Sequence, residues 1–222
     1  MSIRLNLQEI RKNIPANVSL VCVSKFHPEN AIQEAYDCGE RIFGESRVQE
    51  LISKQPKLPA DIQWHFIGHL QSNKIKLILP LVSLIHGVDS FKLLEEINAR
   101  AQKEDRVVSC LLQVHIAREE TKFGFSIDEI HEMLSGHNFR SFENVQIKGL
   151  MGMATLTDDN SQIRTEFRTL RLLYDDLKQT YFQTNENFCE LSMGMSDDYK
   201  IAIDEGSTMV RIGSSIFGVR EY

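Results

Sequence analysis

The chain lacks a basic stretch, a paired-cysteine motif and a long apolar run, and each absence removes a class of function. Its 25 lysines and arginines are scattered among 31 aspartates and glutamates, for a net charge of −6. That distribution gives no electrostatic footprint for nucleic acid or for an anionic membrane surface. The four cysteines, Cys22, Cys38, Cys110 and Cys189, lie far apart without a Cys-x-x-Cys pair. A zinc ribbon and a dithiol redox centre are thereby disfavoured, and the cysteines read as reduced core thiols. No segment approaches the roughly 20 apolar residues of a membrane span. The N-terminal MSIRLNLQEIRKNIP alternates apolar and charged residues instead of carrying the apolar block of a signal peptide. The expectation is a cytoplasmic protein with a small soluble ligand.

What is present is a regular alternation. A chain of 222 residues, 42% of them hydrophobic, can bury one sizeable core. Short β-branched runs at 20–25, 41–44, 63–67, 82–87, 107–116, 146–151, 188–192 and 209–213 predict eight strands. Stretches of helical period separate them, at 28–38, 47–54, 73–79, 91–103, 127–134, 161–180 and 197–205, with 2–13 in front. The helix at 28–38 is marked by its parts: Pro28 suits a first helical position, Ala31, Ile32, Ala35 and Tyr36 form an apolar stripe, and Gly39 can take the left-handed stop. Eight β/α units without a long linker, repeat or low-complexity segment predict one α/β domain over 1–222, a closed (β/α)8 TIM barrel. An open doubly wound sheet is the alternative.

In such a barrel the chemistry sits at the carboxyl ends of the strands, and phosphate is held by the loops after strands seven and eight. LSMGMSDD at 191–198 leaves the seventh strand with Ser192, Gly194 and Ser196, and VRIGSSIFG at 210–218 leaves the eighth with Gly213, Ser214 and Ser215. Small residues let backbone N–H groups approach an anion closely, and hydroxyls add donors. Closure would make strand eight the neighbour of strand one, whose end carries Lys25 in SLVCVSKFHPENAIQEA. Desolvation beside Arg211 would free the lysine amine to condense with an aldehyde. A phosphate and a carbonyl together point to pyridoxal 5'-phosphate. Strand alternation puts Arg211 and Gly213 on the inward face, so that the guanidinium, which only donates, would meet an unprotonated pyridine nitrogen and weaken the electron sink. The same residues have plainer readings: a strand-end lysine is ordinarily solvated or paired, Ser- and Gly-rich turns are often only turns, and Arg211 can simply bind loop carbonyls.

WHFIGHLQSNK at 64–74 offers His65 and His69, but a four-residue spacing joins two metal ligands only on a helix, and these residues read as strand and loop. His27, His86, His115, His131 and His137 show no ligand spacing. The acidic run at 157–159 reads as a cap for the following helix, and Lys122 in TKFGF as a solvated loop lysine.

Taken together, VSKFHP, FGES-RVQE at 43–50, WHFIGHLQSNK, TKFGF, KGLM, LSMGMSDDY and AIDEGSTMVRIGSSIFG make the sequence resemble the pyridoxal phosphate homeostasis protein family, which is similar to the N-terminal barrel of alanine racemase, a fold type III arrangement. The resemblance covers nearly the whole chain. It implies that Lys25 carries the cofactor as a Schiff base, that Ser192, Gly213 and Ser214 hold its phosphate, and that Arg211 approaches the pyridine nitrogen. Ser46 departs from the family's usual asparagine. The resemblance further implies a protein that buffers or delivers pyridoxal phosphate, with transient contact to apoenzymes that depend on it, and a barrel that looks complete in itself reads as a monomer. Alanine racemase adds a β-domain whose tyrosine faces the lysine, and the sequence ends at Tyr222 with no residues for one. The expectation is therefore intracellular cofactor homeostasis without substantial catalysis. The rivals are an amino-acid racemase or lyase using Lys25 as base, and a colourless Schiff-base aldolase acting on a phosphosugar.

Overall fold

Strands rich in Val, Ile, Leu and Phe need a cover on both faces when they pair in parallel, and here they close on themselves. The computed structural model describes residues 2–119, 123–136, 139 and 141–218. Its strands are β1 (Ser19–Val23), β2 (Ile42–Glu45), β3 (Gln63–Phe66), β4 (Leu84–Val88), β5 (Val108–Val114), β6 (Val145–Gly152), β7 (Glu190–Ser192) and β8 (Met209–Ile212). They form a closed parallel barrel in chain order, with β8 paired to β1 through Leu20 opposite Val210 and Cys22 opposite Ile212. The helices are α1 (Ile3–Lys12), α2 (Glu29–Asp37), α3 (Val48–Lys54), α4 (Ile75–Ile78), α5 (Phe91–Lys103), α6 (Ile127–Ser135), α7 (Asn160–Thr180), α8 (Tyr199–Asp204) and α9 (Ser214–Phe217). The closed sheet rules out the doubly wound alternative.

Alternation divides the strand residues between two apolar layers. Leu20, Cys22, Phe43, Trp64, Val210 and Ile212 belong to the large core between sheet and helices, whereas Val21, Leu84, Leu111, Met151 and Met209 pack together inside the barrel. Phe43 and Trp64 are neighbours across β2 and β3 with ring centroids 6.1 Å apart, and burying each side chain contributes on the order of 2–3 kcal/mol.

Helix starts follow side-chain chemistry. Ser90 caps α5 by accepting from Leu93 N–H, Ser126 and Glu129 form a reciprocal capping box on α6, and Asp159 caps α7. Gly39 takes the expected left-handed φ of 105° after α2. Several boundaries differ from the sequence expectations. Pro28 is the N-cap of α2 with extended ψ, one position before the first helical turn. The segment expected as one helix at 73–79 begins as a 3₁₀ turn, Ser72–Lys74, and α9 is an additional short helix. Of the four cysteines only Cys22 and Cys110 lie in the core; Cys38 is half-buried and Cys189 exposed, and all four are unbridged. Among the described residues no helix is long and apolar enough to cross a membrane.

Candidate functional site at the carboxyl end of the barrel

Lys25 stands two residues beyond the end of β1, in a turn, and is half-buried. Ser24 N–H still continues the sheet by donating to Gly44 O at 3.0 Å, and His27 N–H closes a turn by donating to Ser24 O at 3.1 Å. Phe26, third in that turn, has φ 67°. Glycine normally occupies such a position, and a side chain there costs on the order of 1 kcal/mol. A buried ion cluster compensates. Lys54 Nζ, on α3, donates to Ser24 O at 3.0 Å, to Glu45 Oε1 at 2.8 Å and to Glu50 Oε2 at 2.8 Å. Glu50 Oε2 in turn accepts Phe26 N–H at 2.8 Å, and Arg47 lies over the Phe26 ring at 4.4 Å. The carbonyl before Lys25 and the amide after it are thus held by one Lys54–Glu50 pair. Burial pushes the Glu45 carboxyl up against the pull of Lys54. Burial also raises Glu50, but hydrogen bonds from Lys54 and Phe26 outweigh it and leave that carboxyl below its ordinary value.

The second cation faces the barrel interior, as alternation requires. Arg211 is 5% exposed and donates from Nη1 to Ser192 O at 2.9 Å and to Ser192 Oγ at 2.6 Å, and from Nη2 to Gly152 O at 3.1 Å. Burial lowers its pKa to about 10, so it stays charged at neutral pH; the Asp198 carboxylate pulls the other way. Among the described residues its Nε has no protein acceptor.

Gly213 lies two residues beyond Arg211 and packs against β1, where a Cβ would meet Val23 O at 3.1 Å. Ser214 and Ser215 open α9 and are exposed, and among the described residues their amide N–H groups have no protein acceptor. Stacking of His27 on Phe217, with centroids 5.0 Å apart, joins the Lys25 turn to α9. The loop after β7 meets the same place: Gly213 N–H donates to Ser196 Oγ at 3.4 Å. Gly194 in that loop has φ 95°, and a Cβ on it would come within 2.6 Å of the Ala202 Cβ.

The structure therefore brings Lys25, Arg211, Gly213 and Ser214 to one end of the barrel. Ser192 is fully buried and its hydroxyl contacts Arg211 and His86, inside the barrel, because residue 192 shares the inward parity of Arg211; the serine that meets Gly213 N–H is Ser196. Lys54, Glu45, Glu50 and His86 were not singled out by motif. The Glu50–Lys54 i,i+4 spacing and the inward parity of His86 were the available signals. His65 joins His86 rather than His69, whose Nδ1 contacts Asp89 at 2.9 Å. Among the described residues there is no group of metal-ligating side chains. Lys122, His137 and Tyr222 lie outside the described residues. The donor set, an amine, a guanidinium and spare amide N–H groups, suits a ligand bearing a phosphate and a carbonyl.

The family model described as alanine racemase, N-terminal domain, matches residues 1–221. A pyridoxal phosphate homeostasis protein of Aquifex aeolicus (strain VF5) is 41% identical over 204 residues, 91% of this chain and 87% of that relative. The chain belongs to the pyridoxal phosphate homeostasis protein family. Another family member, from Schizosaccharomyces pombe, is 38% identical over 206 residues, 92% of this chain and 85% of its own. Among solved structures, PipY of Synechococcus elongatus PCC7942 with PLP bound superposes with a TM-score of 0.89 at 37% identity, over 98% of this chain and 100% of PipY. Alanine racemase from E. faecalis shares the fold, with a TM-score of 0.73 at 15% identity over 98% of this chain and 57% of that one.

Proposed function

We propose that this chain binds pyridoxal 5'-phosphate reversibly at the carboxyl end of its barrel, through Lys25, and buffers or hands on the cofactor without substantial catalysis of its own. The observation that carries the reading is the meeting of the clamped Lys25 turn, the donor-only Arg211 and the open amides of Ser214 and Ser215 across the β8–β1 seam. The family's name and the PLP bound to PipY support the same reading. When bound, the cofactor supplies an aldehyde that condenses with an amine and, in other settings, an electron sink.

The residues of this chain divide the work. Lys25 offers the amine from a turn whose backbone is fixed on both sides. Gly213 and Ser214 would hold the phosphate, with Ser196, whose hydroxyl now accepts from Gly213 N–H, beside them and Ser192 behind Arg211. Arg211 would face the pyridine nitrogen as a donor and, having no lone pair, would favour the unprotonated ring, which disfavours carbanion chemistry. Tyr36, Tyr174 and Tyr199 belong to α2, α7 and α8, and Tyr181 ends α7, so among the described residues no tyrosine comes from the strands of the barrel mouth to act as a second proton carrier. All of these groups come from residues 1–222 as one ligand-binding domain, and one chain suffices. The exposed thiol of Cys189 is consistent with a reducing, cytoplasmic setting.

The deciding experiment is titration of the purified protein with pyridoxal phosphate, borohydride reduction and peptide mass spectrometry. The expected result is a yellow protein bleached by reduction, with the adduct on Lys25 and none in Lys25→Ala. A colourless protein, or an adduct elsewhere, overturns the reading. Steady turnover of an L- or D-amino acid that is lost in Lys25→Ala would establish the racemase or lyase alternative instead, and failure of the loaded protein to reconstitute any pyridoxal-phosphate apoenzyme would remove the delivery role.

A further inference from the structure

Ser192 ties Arg211 to two buried imidazoles that have no part in the site described above. His86 Nδ1 lies 3.1 Å from Ser192 Oγ, and His86 Nε2 lies 3.0 Å from His65 Nδ1. His86 is fully buried and His65 is 4% exposed. His65 also lines a cavity of about 230 Å³ at the opposite end of the barrel, with Gln63, Ser83 and Ser109. A continuous line of hydrogen bonds therefore runs from the base of the barrel to the guanidinium.

We propose that His86 and His65 are positioning residues for Arg211, acting through Ser192 in a hydrogen-bond chain whose direction the guanidinium dictates. Arg211 can only donate, so Ser192 Oγ accepts from Nη1. The hydroxyl proton must then go elsewhere, and His86 Nδ1 is its acceptor among the described residues. His86 consequently carries its proton on Nε2 and donates to His65 Nδ1, and His65 carries its own on Nε2. Were the proton on His86 Nδ1 instead, Ser192 Oγ would receive two donors and its own buried O–H would have no acceptor, an arrangement costly in an enclosed polar network. Burial keeps both imidazoles neutral: it lowers His65 to about 4, and burial first, with the Arg211 charge beside it, holds His86 well below its ordinary value. The chain fixes the rotation of the guanidinium and so the direction of its two remaining donors, Nε–H and the second Nη2–H.

The inference deepens the proposed function and rests on it for its optical arm only. In the first arm, ¹⁵N–¹H correlation spectra of the ligand-free wild-type protein report the tautomers; Nε2–H at both His65 and His86 is expected, and Nδ1–H at His86 overturns the inference. In the second, His86→Asn, which keeps an acceptor near the Nδ1 position, is compared with His86→Leu, which has none. With pyridoxal phosphate as the probe, His86→Leu should bind about tenfold more weakly with a displaced absorption band, while His86→Asn stays close to wild type. Equal affinities and spectra for the two variants at matched melting temperatures would overturn the inference. If wild type forms no reducible coloured adduct, the cofactor reading fails and the tautomer spectra decide the chain alone. Those spectra need no variant, so a poorly folding substitution leaves the test intact.

Discussion

The Lys25 turn and the Arg211 side chain are held by opposite means. Outside the barrel, the turn is gripped by charge: the buried ammonium of Lys54 and the carboxylate of Glu50 clasp the backbone on either side of Lys25, and Glu45 holds Lys54 in place. Inside it, Arg211 is set by neutral groups, two main-chain carbonyls, a hydroxyl and two imidazoles. The difference follows from what each surrounding can tolerate. The outer cluster pairs its charges, so desolvation is offset locally, whereas a second cation beside Arg211 would face uncompensated repulsion. A charged clasp resists loss of a partner poorly, and a neutral chain resists acid poorly.

Removing the clasp's ammonium should have the largest effect. Lys54→Met leaves the buried Glu45 without a counter-charge beside Glu50, which keeps Arg47 at 4.0 Å, and is expected to cost about 3–5 kcal/mol in urea denaturation. Adding Glu45→Gln should return part of that loss; no recovery would mean the cluster is not held by charge. Acid should strike the chain next. His65 has its pKa lowered from 6.5 to about 4, so the unfolded chain takes up the proton first. Stability present above pH 6.5 is lost as pH falls towards 4, by about 3 kcal/mol from this residue. Unfolding midpoints across that range should flatten in His65→Asn, and an unchanged slope would refute the assignment.

Ser192→Ala breaks the link between His86 and Arg211 and should cost about 1–2 kcal/mol. Because the clasp and the chain share no partner, its effect should add to that of Lys54→Met within about 0.5 kcal/mol; a larger coupling in the double-mutant cycle would show that the two regions are one. The smallest effect is expected from Arg47→Ala, which removes the cation stacked on Phe26 and should lower stability by about 0.5–1 kcal/mol. Hydrogen exchange at the Phe26 amide should rise in that variant if the stacking helps to hold the strained turn.

Much of this was legible in order of residues. The strands at 63–67 and 209–213 and the helix at 91–103 emerge because burial on one or both faces imposes a period, and the structure has them at Gln63–Phe66, Met209–Ile212 and Phe91–Lys103. Inward orientation of Arg211 followed from the same period. Ser192 and Ser196 are not told apart as phosphate ligands by composition alone, since a serine ending a strand and one in the loop beyond it look alike there. Parity with Arg211 across β7 and β8 sets Ser192 inside the barrel, where its hydroxyl accepts from Nη1. His65 looked like a partner for His69 because the two are near in sequence; in space it joins His86 from the next strand.

By itself, the sequence determined the local chemistry: which segments alternate, where helices are capped, that a lysine ends the first strand and small residues follow the last two. Those outcomes depend on neighbours a few positions apart. Only the tertiary structure decided that β8 lies beside β1, that Lys54 reaches back to the turn carrying Lys25, and that two histidines line up behind Ser192. These are contacts between groups distant along the chain, and ring closure is what sets their distance.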